Sequence, residues 1–147
     1  MNDPASQENG PMNDPASEAL SVIVERDLPF APEKIWRALT QPHLIEEWLM
    51  KNDFAPVVGQ GFSLSADWGA VACRVLTLEP NKTLAYSWSV MGLESTVTWT
   101  LAPTRTGTRL RMEHSGFRSD QQQAYQGAGY GWRKFFANLQ GVLEGLS

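Results

Sequence analysis

The last quarter of the chain constrains everything before it. From Ser119 to Ser147, Tyr125, Ala128, Trp132, Phe135, Phe136, Leu139, Val142, Leu143 and Leu146 recur at gaps dominated by three and four. That spacing puts them on one face of a 3.6-residue period, so the stretch reads as one long amphipathic helix. The rings of Trp132, Phe135 and Phe136 need a wide apolar partner, and a sheet provides one. Ser119 followed by Gln122 matches a capping box, and Asp120 suits the positive end of the helix dipole. Gly127, Gly129 and Gly131 disturb the pattern, since each glycine costs about 1 kcal/mol against alanine in a helix interior. Either the regular helix starts only near Gly131, or its first part is thin and pliable, as a lid over a cavity would be.

The middle of the chain supplies the partner surface. Leu20 to Leu28 alternates around Val22 and Val24 and reads as a first strand, stopped by Pro29. Pro32 and Pro42 each stand where a helix favours its first residue, so two short helices follow, carrying Ile35, Trp36 and Leu39, then Leu44, Ile45, Trp48 and Leu49. From Val57 to His114 the period becomes two. Phe62 and Leu64 follow a Gly59–Gly61 turn, and Val71 to Leu78 runs to the turn Glu79-Pro80-Asn81-Lys82. Leu84, Tyr86, Trp88 and Val90 lead to a tight turn at Met91-Gly92. Val97, Trp99 and Leu101 alternate with threonines, and Leu110, Met112 and His114 alternate with Arg109, Arg111 and Glu113 after a turn at Thr104 to Gly107. Short links between alternating strands mean an antiparallel meander with one apolar face. The fold class is therefore α+β: a curved antiparallel sheet of about six strands wrapped around a long C-terminal helix, with two short helices after the first strand.

Residues 1–19 stand apart. They hold four acids and no base and almost nothing apolar, which cannot support burial, so a disordered tail is expected there. The tail lacks the basic start and apolar middle of a signal peptide. Met1 to Ser6 (MNDPAS) recurs as Met12 to Ser17; two alternative start sites or a cloning scar account for this better than a structural repeat. The tail carries the whole net charge of -4, because the remainder has twelve acids and twelve bases. A neutral body without a basic stripe argues against nucleic acid or an anionic membrane as partner. No apolar run reaches membrane-spanning length, which argues against membrane insertion. The single cysteine, Cys73, fits a reducing cytoplasm and reads as a small core residue. Two histidines and one cysteine without ligand spacing give no metal site, and no cofactor motif is present.

The element order, with Pro32 to Thr40 (PEKIWRALT), Trp48, Val75 to Pro80 (VLTLEP), Leu84 to Trp88 (LAYSW), Leu110 to Gly116 (LRMEHSG) and Gly131-Trp132, resembles the helix-grip fold of the START-like and polyketide-cyclase-like superfamily (SRPBCC). Within it, the chain is similar to the branch named for the C-terminal domain of the activator of the heat-shock protein 90 ATPase. The likeness covers about residues 20–146, so residues 20–147 are expected to form one helix-grip domain. The resemblance implies a cavity for apolar small molecules, lipids or polyketide-like rings; a few members are cyclases or hydrolases. It leaves a chaperone partner open without supporting one, since chaperone-activating members usually carry a second domain. The fold by itself does not fix the function.

Among polar groups, His114 draws notice because alternation places it inward with Leu110 and Met112. It can bond a ligand or act as a general base; the plainer reading ends the strand there, with the ring on the backbone near Ser115-Gly116. His43, Glu46 and Glu47 read as solvated helix surface, and Asp67 before Trp68 as part of a turn. No acid–base pair or nucleophile elbow can be assembled, so no catalytic residue is assigned. The better constellation is apolar: Trp48, Phe62, Tyr86, Trp88, Trp99, Met112, Tyr125 and Trp132, which with His114 are the expected ligand-binding residues. Large rings with a few polar groups match the usual make-up of a small-molecule pocket, although each ring singly is as good a core residue. An apolar or aromatic small molecule is the expected partner, with His114, Tyr86 or Tyr125 orienting it.

Overall fold

A computed structural model describes residues 20–146. The expected disordered tail and its MNDPAS repeat lie outside the described residues, as does Ser147. The elements are β1 (Leu20–Leu28), α1 (Pro32–Thr40), α2 (Pro42–Trp48), β2 (Lys51–Asn52), β3 (Gly61–Ala66), β4 (Gly69–Glu79), β5 (Thr83–Val90), β6 (Leu93–Pro103), β7 (Thr108–Phe117) and α3 (Gln122–Gly145). The seven strands form one antiparallel sheet in the order β1-β7-β6-β5-β4-β3-β2. The six alternating strands are those expected; β2, only two residues long, has no periodicity to announce it. Among the described residues no helix is long and apolar enough to cross a membrane.

The concave face of the sheet carries the apolar set. Leu84, Tyr86 and Trp88 on β5, Val97 and Trp99 on β6, and Leu110 and Met112 on β7 are all buried. The second half of α3 presses Trp132, Phe136, Leu139 and Leu143 into this face. Trp99, fully buried, is the hub: the ring of Trp48 meets it edge-on at 5.5 Å and that of Phe136 stacks on it at 5.6 Å. The two short helices close one side. Pro32 and Pro42 both occupy their first turns, and Trp48 Nε1 donates to Ala38 O at 2.9 Å, tying α2 to α1.

Of the two readings of α3, a start delayed to Gly131 does not hold: the helix runs unbroken from Gln122 through all three glycines. Its start also lies later than the capping-box pattern at Ser119 suggests. The chain makes a turn first, with Gln121 N donating to Arg118 O at 2.9 Å, so Gln121 becomes the residue before the helix and makes no side-chain cap. The Gln121 side chain accepts instead from Arg118 N at 2.9 Å.

One irregularity matters for the cavity. On β7, Thr108, Leu110, Met112 and His114 point inward in strict alternation. The β1–β7 register then slips between Leu20 and Ser21, leaving Gly116 as an extra residue. Gly116 has φ 108°, and a Cβ there would lie 3.1 Å from Glu94 O and Ser95 Cα. Only glycine fits such a bulge comfortably. The slip reverses the parity of the strand, so Phe117 turns inward and is fully buried.

Candidate functional site

The first half of α3 does not touch the sheet as the second half does. Between them lies a cavity of about 590 Å³. Its roof is Ala124 with Gly127, Ala128 and Gly131, which lie three, four and seven positions on from Ala124, so the small residues share one helix face. The glycines therefore act by leaving room rather than by breaking the helix: a Cβ on Gly127 would meet nothing within 4 Å. The floor is Val71, Trp88, Leu93, His114 and Phe117 from the sheet, and Leu49 and Met50 after α2 form a side wall.

The mouth is built from two hairpin tips. Ala66 pairs with Gly69, leaving Asp67-Trp68 as a two-residue turn, and Val90 pairs with Leu93 around Met91-Gly92. Met91 and Gly92 have φ of 46° and 82°, the doubly positive pattern of a type I′ turn. Trp68 and Met91 line the cavity yet are 57% and 87% exposed, so they stand at its rim. Gln121 Nε2 reaches Gly92 O at 3.5 Å, a long contact between the helix start and the second tip.

His114 is the one titratable side chain on the cavity wall, and its geometry decides what it can do. It is 1% exposed and lies within β7, not at its end. Trp132 Nε1–H donates to His114 Nδ1 at 2.9 Å, which makes Nδ1 the unprotonated nitrogen. The proton of the neutral ring then sits on Nε2 and is donated to Ser95 Oγ at 2.8 Å. Ser95 Oγ–H in turn donates to Trp88 O at 2.8 Å. The relay links α3 to three strands and uses both imidazole nitrogens. Burial holds the His114 pKa down to about 4, so the ring is neutral near pH 7. Both ring nitrogens are thus engaged in this internal relay, and the ring does not bond the backbone near Ser115-Gly116.

Of the nine expected ligand-binding residues, Trp88, His114 and Trp132 line the cavity. Trp48, Phe62, Tyr86, Trp99 and Met112 lie in the core beside it. They are fastened to one another: the Phe62 and Tyr86 rings meet at 5.3 Å, and Trp99 Nε1 donates to the Tyr86 hydroxyl at 3.0 Å. Burial pushes the Tyr86 phenol above its ordinary pKa, and burial, with a smaller push from Asp53, raises the Cys73 thiol to about 12. Tyr125 packs edge-on against Phe117 and faces a separate, more polar groove of about 480 Å³ that also touches Ser21 and Arg133. Glu46, Glu47 and His43 are exposed, as expected. Among the described residues no group of three or more His, Cys, Asp or Glu is placed to hold a metal ion.

Sequence reasoning missed Trp68, Met91, Phe117 and Phe135 as cavity residues. Trp68 and Met91 carried a signal, being large apolar side chains where turns favour small polar ones. Phe117 carried none, since the bulge reverses its alternation.

A curved sheet closed by one long helix, with an apolar chamber under the helix's first half, defines a helix-grip protein. The chain belongs to the family described as Activator of Hsp90 ATPase homolog 1-like protein, which it matches over residues 29–144, within the START-like superfamily. Protein MLL2253 from Mesorhizobium loti is similar at 57% identity with a TM-score of 0.84, over 87% of this chain and 99% of that one. CalU16 from Micromonospora echinospora is 27% identical with a TM-score of 0.76, over 88% and 80% of the respective chains. DynU16, a protein of the dynemicin biosynthetic locus, is 25% identical with a TM-score of 0.77; the match takes in 84% of this chain but 47% of that longer one. No curated protein matches the chain.

Proposed function

We propose that this protein binds an apolar, ring-containing small molecule in the chamber beneath the first half of α3. The observation that carries the reading is the chamber itself: about 590 Å³, floored by Trp88 and Phe117 and roofed by residues that withhold side chains. The volume falls within the range of small-molecule sites, which are mostly apolar with few polar groups. The fold supports a ligand-binding domain of the START-like kind, and the likeness to a protein of a biosynthetic locus fits a small-molecule role. Affinity would come from ring area removed from water, at about 25 cal/mol per Å².

An enzymatic use of His114 is less favoured, because neither ring nitrogen is left for a substrate. A protein-interaction role is also less favoured, since the outward row of β6 offers Glu94, Thr96, Thr98 and Thr100 rather than an apolar patch.

Titration with polycyclic aromatic probes, followed by tryptophan fluorescence and calorimetry, tests the reading. Saturable binding is expected in the parent protein. Gly131→Leu, whose side chain would grow into the chamber, is expected to weaken binding at least tenfold while leaving the fold intact. A parent protein that binds no member of a broad panel would remove the proposal.

A further inference from the structure

The four buried tryptophans differ in one respect. Trp48 Nε1 donates to Ala38 O at 2.9 Å, Trp99 Nε1 to the Tyr86 hydroxyl at 3.0 Å, and Trp132 Nε1 to His114 Nδ1 at 2.9 Å. Trp88 is 7% exposed, and its indole N–H has no acceptor among the described residues. A buried donor without a protein partner is uncommon, and a guest in the space beside it would supply an acceptor. Trp88 is also held in place. Its carbonyl is held by Ser95 Oγ, and its ring is flanked by His114 at 5.3 Å and Trp132 at 5.4 Å. The open space against it is the chamber.

The rest of the wall sharpens the point. Leu49, Val71, Leu93, Phe117 and Phe135 cannot hydrogen-bond through their side chains, and the indole of Trp132 is already spent on His114. His114 Nδ1 accepts from that indole and Nε2–H is given to Ser95, so the imidazole neither donates to a guest nor accepts from one. The thioethers of Met50 and Met91 are weak acceptors. Trp68 also lines the chamber, but at 57% exposed its indole stands at the wet rim. The buried part of the chamber thus holds one unspent strong donor, Trp88, and no strong side-chain acceptor.

Resting on the reading of the chamber as a ligand site, we infer that Trp88 Nε1–H is its orienting polar contact. The guest class follows: a ring compound with a single hydrogen-bond acceptor, such as a ketone, quinone or ether oxygen, and no donor or charge at its buried end. A hydroxyl in the same place would satisfy Trp88 but leave its own proton without a partner.

Three probes on one skeleton separate the possibilities: fluorene, 9-fluorenone and 9-hydroxyfluorene, titrated by calorimetry against the unmodified protein and Trp88→Phe. Fluorenone is expected to bind the unmodified protein about 3- to 10-fold more tightly than fluorene, the span of one neutral hydrogen bond. Hydroxyfluorene should gain little over fluorene. Trp88→Phe should erase the preference for fluorenone while changing fluorene affinity less. In a ¹⁵N-labelled sample, the Trp88 indole proton should move downfield with fluorenone and not with fluorene, which decides the matter even if Trp88→Phe does not fold. Equal affinities with no selective indole shift would overturn the role of Trp88 and leave the chamber reading standing. If none of the three binds, both the chamber reading and this inference fall.

Discussion

The two halves of α3 face the same sheet and use it differently. In the second half Trp132, Phe136, Leu139 and Leu143 are each at most 4% exposed and mesh with Trp99 and its neighbours. In the first half Tyr130 is 68% exposed, and the residues over the chamber are alanines and glycines. Dispersion and apolar burial hold the second half in place. A few separate ties hold the first: Tyr125 on Phe117, Gln121 on Gly92, and the Trp132–His114 bond at the junction. The difference teaches that one helix can be both anchor and roof, provided side-chain volume is placed at one end and withheld at the other.

The largest effect expected from this contrast is in side-chain truncation. Phe136→Ala removes a ring stacked on Trp99 and should cost about 3–5 kcal/mol, whereas Phe135→Ala, its half-buried neighbour at the chamber, should cost about 1 kcal/mol. Urea denaturation of the pair measures both, and equal losses would erase the distinction between anchor and roof.

The junction gives the next effect. In the unfolded chain the His114 ring takes a proton below about pH 6.5, but in the fold it stays neutral down to about 4. The unfolded state therefore binds more protons across this window. Stability should fall as pH drops from 6.5 to 4, by about 3 kcal/mol in all from this group, with no change from it above pH 7. His114→Asn should be less stable at pH 7 but have a flatter profile between these limits. Denaturation midpoints across pH check this; an unchanged slope in the variant would show that His114 is not the source.

The smallest effect runs in the opposite direction. Gly127→Ala would place its Cβ in open space, and the Cβ of Gly131→Ala would make an ordinary 3.9 Å contact with Phe135. Each should stabilise the protein by about 0.5–1 kcal/mol by removing the helical cost of glycine. Thermal unfolding of the two variants reads this. A loss of stability would mean that the roof needs glycine for its backbone and not for its space.

What could be read from the sequence divides along the same line. The strands of the meander, the two proline-led helices and the stripe from Trp132 to Leu143 all follow from apolar periodicity, because packing imposes it. The chamber was only partly legible, because empty space leaves a weaker mark. Its roof shows as small residues at helical spacing, easily mistaken for a break in the helix at Gly127, Gly129 and Gly131. Its floor shares one apolar alternation with the solid core, so Trp99 and Met112 read the same as Trp88. Nothing in the pattern separates a ring that faces a ring from a ring that faces a void. His114 was legible as inward-facing, but its partners, Ser95 and Trp132, are 19 and 18 residues away in sequence and meet it only through the fold.

The extra residue on β7 bears on how such chambers diversify. Because a strand presents its side chains to alternate sides, adding or deleting one residue reassigns everything beyond it. At Gly116 that reassignment reaches Phe117 and the approach to α3, while the paired strands upstream keep their register. Length changes at this strand end can therefore remodel the lining without disturbing the scaffold, a route to new guests that point substitutions in the interlocked rings around Trp99 would not offer.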